Sequence, residues 1–81
     1  MTDSVYSSRY RRFRELLVEA RQARKLSQVA LAEKLGRLQS FVSKYERGER
    51  RLDIVEFLEV SRALAIDPHK ILTQIEASDR Q

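Results

Sequence analysis

An all-α fold of five helices is predicted by three observations. Apolar residues recur at helical spacing along most of the chain, no segment alternates apolar and polar residues as a half-buried strand would, and helix breakers are scarce. The chain has 81 residues with 2 Gly and 1 Pro. That length allows one domain with a modest core, near the low end of what folds without staples. With no Cys and 1 His, a disulfide scaffold, a thiolate zinc site and an imidazole metal centre are all excluded.

The first helix is predicted from Ser8 to Arg24, capped by Ser7 or Ser8, with Tyr10, Phe13, Leu16, Leu17 and Ala20 on its inner side. The second follows Ser27, a good N-cap. Its apolar stripe is Leu31, Ala32 and Leu35, and Gly36 can take the positive φ that ends it without a Cβ clash. In the third, Phe41, Val42 and Tyr45 share the core side, while Gln39, Ser40, Ser43, Lys44 and Arg47 fall opposite. The fourth starts at Asp53, where Asp-x-x-Glu with Glu56 resembles a capping box, and continues through Ile54, Phe57, Leu58, Leu64 and Ala65. Only Glu56, Glu59 and Arg62 make a polar stripe on it, so it is expected to be central and covered on several sides. The fifth opens at Asp67-Pro68, an N-cap followed by proline at the first helical position, and runs to Ala77. Residues 1–7 and 78–81 are expected to be flexible tails around a domain spanning 8–77.

Charge is unevenly spread. Residues 1–51 carry 13 Lys or Arg against 6 Asp or Glu, and residues 52–81 carry 3 against 6, within a net charge of +4. A basic half attracts a phosphate backbone and an acidic half turns away from it, so approach is oriented as well as favoured. The plain alternative is a solvated surface with chance asymmetry. The opening MTDSVYSS lacks an apolar signal core, and no stretch nears the roughly 20 apolar residues of a membrane span. A soluble cytoplasmic protein, associated with the nucleoid, is expected. An enzyme is not: there is no Cys nucleophile, His69 follows Pro68 at a helix start with no evident acid–base partner, and 2 Gly cannot build a phosphate loop. No cofactor or metal is expected either.

Two short helices joined at Gly36, the second with a polar and basic outward face, make an arrangement suited to reading DNA. Arg21, Leu26-Ser27-Gln28, Leu31-Ala32, Gly36, Val42-Ser43 and Tyr45-Glu46-Arg47-Gly48 stand at the spacing of a known family. Over residues 9–76 the chain resembles the helix-turn-helix family of lambdoid phage repressors and Cro proteins, the XRE family. The resemblance implies a compact five-helix DNA-binding domain and a sequence-specific transcription regulator, most often a repressor on a pseudo-palindromic operator.

Site residues carry over by position. Gln28 matches the glutamine that opens the second helix, holds a backbone phosphate and braces the first reading side chain. Gln39 and Ser40 match the first two base-reading positions and Lys44 a later one, with Ser43 on the same face. Gln can pair with the N6/N7 edge of adenine, Lys can donate to guanine, and Ser serves either. For Lys44 a phosphate contact is the competing reading. For Phe41 two readings stand: core packing, or a ring edge against a thymine methyl. Arg37, Arg47, Arg50 and Arg51 flank the reading helix where relatives meet phosphates, and would position more than specify. Arg9, Arg11, Arg12 and Arg14 are either backbone contacts or plain surface. Arg21 and Glu46 match a structural ion pair of the family.

Two positions depart from the pattern. Arg37 stands where an apolar residue is usual and Leu38 where a small hydroxyl residue caps the reading helix. No side-chain cap is therefore expected, Leu38 is expected to supply the apolar contact, and the helix start is free to shift by one residue. Because one reading helix covers few base pairs, a homodimer on double-stranded DNA is expected. Ile71, Leu72 and Ile75 offer its interface, with internal packing as the alternative. Other roles for the same domain are an antitoxin, a restriction-system controller, or a protein-interaction module that has lost specific DNA binding.

Overall fold

The computed structural model describes the backbone of residues 2–78 and the side chains of residues 8–78. The described residues form α1 (Thr2–Ala23), α2 (Gln28–Leu35), α3 (Gln39–Arg47), α4 (Ile54–Leu64) and α5 (Pro68–Ser78). The first boundary lies earlier than the sequence reading: α1 runs from Thr2, so Ser7 and Ser8 lie inside the helix rather than at its start. Physically, no Gly or Pro between Thr2 and Ser8 interrupts the helical backbone. Met1 and residues 79–81 of the expected tails lie outside the described residues.

The other boundaries have local causes. Ser27 caps α2, its hydroxyl accepting from the Ala30 amide at 3.0 Å, and Gly36 ends the helix at φ 68°. Leu38 precedes α3 without any side-chain cap, and Gly48 closes that helix at φ 81°. Before α4 the capping box is complete: the Glu56 amide donates to Asp53 Oδ1 at 2.7 Å, and the Asp53 amide donates to Glu56 Oε1 at 3.0 Å. Asp67 accepts from the His69 amide at 2.9 Å ahead of α5.

Helix α1 packs on α3 and α5, while α2 packs on α3 and α4. The core gathers Phe13, Leu16 and Leu17 with Leu31, Ala32, Phe41, Val42, Tyr45, Phe57, Val60, Leu64 and Ile71. Three sequence expectations change here. Helix α4 is not central: only the side with Phe57, Val60, Ser61 and Leu64 turns inward, while Ile54, at 64% exposure, and its neighbours Val55 and Leu58 face outward. Its apolar content exceeds what one buried face needs. Ile71, at 7% exposure, belongs to the core, whereas Leu72 is 43% exposed, so the proposed interface trio divides. Leu38 is 79% exposed and supplies no apolar contact. Among the described residues no helix is long and apolar enough to cross a membrane.

Candidate nucleic-acid interface

Burial of Phe41, Val42 and Tyr45 fixes the rotation of α3 about its axis. Gln39, Ser40, Lys44 and Arg47 consequently stand exposed on the far side, with Ser43 half-buried among them. The start of α3 meets the start of α2: Gln39 Nε2 donates to Gln28 Oε1 at 3.3 Å. Phe41 is itself in the core, edge-to-face on Tyr45 with ring centres 5.6 Å apart, which leaves no ring edge for a base.

What seats α3 on α1 is a charged cluster. Arg21 Nε donates to Glu46 Oε2 at 2.7 Å, Arg21 Nη2 to Glu46 Oε1 at 3.0 Å, and Arg21 Nη1 to the Leu26 carbonyl at 2.8 Å. The Glu46 side chain is only 6% exposed, so a planar, bidentate partner is what makes its charge tolerable there. The Glu46 hydrogen bond holds the Arg21 guanidinium further into its charged form. Gln28 Nε2 adds a third donor to Glu46, at 2.9 Å on Oε1. Beside it, burial above all pushes the Tyr45 hydroxyl pKa up, with the Glu46 charge second. Arg14 Nη1 donates to the Glu46 carbonyl at 2.9 Å, closing the C-terminal end of α3.

The arginines proposed for phosphate differ in what they touch. Arg50 gives both terminal nitrogens to Glu56, at 2.9 and 2.8 Å, and its guanidinium sits 4.8 Å from the Phe41 ring centre. It ties the loop after α3 to α4, while its side chain stays 39% exposed. Arg37 covers the same ring at 4.4 Å and reaches Glu56 and Glu59 at 3.6 Å each. It thereby takes over the apolar contact that the departure at this position had removed. Arg47 bonds Glu49 at 3.0 Å through two nitrogens and Ser43 Oγ at 2.6 Å, all on the surface. Arg51 stacks on Tyr10 at 4.5 Å, and Arg12 faces Glu15 and Glu19 at 3.5 and 3.4 Å.

Glu56 is the residue that sequence reading undervalued. Spacing identified it as a cap, but it also joins Arg37, Arg50 and, through them, Phe41. Hydrogen bonds from Arg50 first and from the Asp53 amide second lower its carboxyl pKa to about 2. Arg24 went unremarked too: it donates to the Leu64 and Ala65 carbonyls at 2.8 Å each, satisfying the end of α4 where Ala65 takes φ 56°. No spacing signal links those positions.

The arrangement has known counterparts. A helix-turn-helix family model matches residues 17–71. The chain is similar to an XRE-family like protein from Pseudomonas syringae pv. tomato str. DC3000, at 46% identity and TM-score 0.89, covering 94% of this chain and 93% of that one. It is also similar to the restriction-modification controller protein C.AhdI from Aeromonas hydrophila, at 37% identity and TM-score 0.70, covering 76% of this chain and 94% of that one. No curated protein matches significantly. Fold, helix pairing and family match agree, and the chain belongs to the XRE family of helix-turn-helix DNA-binding regulators.

Proposed function

We propose that this protein is a sequence-specific transcription regulator, a repressor that binds a pseudo-palindromic operator as a homodimer in the cytoplasm. The observation that carries the reading is the outward face of α3, where Gln39, Ser40 and Lys44 are exposed beside the start of α2. These are the base readers, joined by Ser43. Gln28, Arg37, Arg47 and Arg51 hold the phosphate backbone. Gln28 does so through its main-chain N–H, which opens α2 where no preceding turn supplies a carbonyl.

The dimer is supported by apolar surface on the far side from α3's readers in sequence: Ile54, Leu72 and Ile75 line one shallow groove with Tyr10 and Phe13. A two-fold pair of reading helices would meet half-sites about one DNA turn apart. Likeness to a restriction-modification controller protein favours a second reading, in which the regulated promoter belongs to a restriction system. The genes beside this one separate the two.

Selection of random duplex DNA by the purified protein, at near-physiological salt, tests the proposal. Two inverted half-sites about one helical turn apart are expected in the enriched pool. Salt-sensitive binding with no enriched motif overturns specific recognition, and absence of binding favours a protein-interaction module.

A further inference from the structure

We infer that Glu49 competes with the DNA backbone for Arg47: its carboxylate fills the place a phosphate would take, and so sets how tightly the protein holds any duplex. This deepens the proposed function and rests on Arg47 being a phosphate contact.

Arg47 stands in the last turn of α3, and all three of its guanidinium nitrogens are engaged. Nε donates to Glu49 Oε2 at 3.0 Å, Nη2 to Glu49 Oε1 at 3.0 Å, and Nη1 to Ser43 Oγ at 2.6 Å. Two parallel bonds to two oxygens of one anion are also how arginine takes a phosphate. The backbone sets this pair in place. Gly48 at φ 81° turns the chain back after α3, and the Glu49 amide donates to the Lys44 carbonyl at 2.9 Å. The Glu49 side chain is thereby returned to the helix it has just left. Both partners are about half exposed, so a phosphate can reach them.

Helix stability does not account for an acid at this position. Lys44 and Arg47 suit the negative end of the α3 dipole, whereas a carboxylate just beyond that end opposes it. An exposed pair adds little to the fold in return. Its consequence is for binding. The Arg47 hydrogen bonds, and then its charge, hold the Glu49 carboxyl below its ordinary range, so Glu49 is an anion at neutral pH. A phosphate has to displace it, and the affinity contributed by Arg47 is the difference between two anions rather than the full value of one contact. Every duplex carries the same backbone, so the effect falls on operator and bulk DNA alike. Glu49 is thus a positioning residue that acts through Arg47 and lowers affinity without choosing sequence.

The test is a double-mutant cycle read by DNA titration. Wild type, Glu49→Gln, Arg47→Ala and the double variant are each checked for folding by thermal melting, then titrated with a duplex enriched by selection and with a scrambled one. Glu49→Gln keeps the size of the side chain and removes its charge. It is expected to tighten both duplexes by the same factor, about threefold, the scale of one exposed ion pair. The slope of log K against log salt should stay as it was, because Arg47 still meets one phosphate. With Arg47→Ala already present, the same substitution is expected to gain clearly less. Equal gains with and without Arg47 would mean plain repulsion between Glu49 and the backbone, and overturn the inference; so does no gain at all. A changed base preference overturns it too, since Glu49 would then be a reader, as a carboxylate accepting from cytosine can be. If Arg47→Ala weakens neither duplex, the phosphate assignment of Arg47 falls first and the inference with it. Should Arg47→Ala fail to fold, NMR of the wild-type chain decides. An Arg47 Nε–H signal that is hydrogen-bonded in the free protein and shifts when duplex is added supports the exchange, and one that duplex leaves unmoved overturns it.

Discussion

Glu56 binds Arg50 through both carboxylate oxygens, at 2.9 and 2.8 Å, while its Oε1 also accepts from the Asp53 amide at 3.0 Å. One side chain thereby ties the loop after α3 to the first turn of α4, and Arg37 at 3.6 Å brings in the turn before α3. With no side-chain cap on α3, this junction does much of the work of fixing where the reading helix begins and ends.

Replacing Glu56 by Gln should therefore cost about 2 kcal/mol at pH 7, the scale of hydrogen bonds to a charged group. The folded carboxyl is depressed to about 2 from an ordinary 4.5, so its contribution is fully present above about pH 4.5 and is lost as pH falls through about 2. Urea melts of both proteins at pH 7, 5, 4 and 3 check this. The gap between them should stay constant to pH 5 and narrow below it; a gap that widens on acidification contradicts the assignment.

Arg50 and Arg47 should respond differently to removal. Arg50→Ala deprives a nearly buried carboxylate of its main partner, and should lower the melting temperature measurably while leaving the salt dependence of DNA binding almost unchanged. Arg47 is paired with Glu49 on the surface, where such a pair contributes little to stability and can be exchanged for a phosphate. Arg47→Ala should barely shift Tm and should reduce the slope of log K against log salt by about 0.9. Binding titrations between 50 and 200 mM salt, roughly the range over which such slopes are read, distinguish the two.

Glu46→Ala should cost about 3–5 kcal/mol, because it leaves the Arg21 guanidinium partly buried without its carboxylate. In so small a domain that approaches the whole stability. Thermal melting followed by circular dichroism measures it, and an unchanged Tm would rule out a structural role for the pair.

The two glycines give a contrast. Gly36 has φ 68° with nothing within 4 Å of an added Cβ, so Gly36→Ala should cost only the left-handed backbone penalty, about 1 kcal/mol. At Gly48, φ is 81° and an added Cβ would lie 3.0–3.3 Å from the Arg14 guanidinium. That group is held by the Glu46 carbonyl at 2.9 Å, so making room weakens a bond at the end of α3. Gly48→Ala should cost more than Gly36→Ala, by about 1 kcal/mol, in parallel denaturant melts.

Signals confined to one turn were readable in advance. Ser27, Gly36, the Asp53–Glu56 box and Asp67-Pro68 each act within about four residues, and each marks an observed helix end. The inward face of α3 followed from spacing as well. What escaped was decided by other elements. Whether Ile71 or Leu72 is buried depends on how α5 lies on α1, and Leu38 is exposed while Arg37 covers Phe41. Periodicity showed that α4 was rich in apolar residues but not that its neighbours would leave Ile54 uncovered. At the candidate site the residue types of the reading face were legible, whereas the arginines pair with residues on other elements, such as Arg21 with Glu46 and Arg37 with Glu56, that no local spacing links.

The division between Ile71 and Leu72 makes the last prediction. Ile71→Ala empties part of the core and should cost about 2–4 kcal/mol of stability, with the oligomeric state following only through unfolding. Leu72→Glu removes no core contact and should leave the monomer's stability within about 0.5 kcal/mol. Placed in an apolar groove with Ile54 and Ile75, however, the new carboxylate would be stripped of water in a two-fold dimer and would face its own copy nearby. Sedimentation equilibrium should then show the wild type associating and Leu72→Glu remaining monomeric, with operator binding weakened and its dependence on protein concentration made steeper. If Leu72→Glu associates as the wild type does, the dimer uses another face, and the exposed side of α4 at Val55 and Leu58 becomes the surface to substitute next.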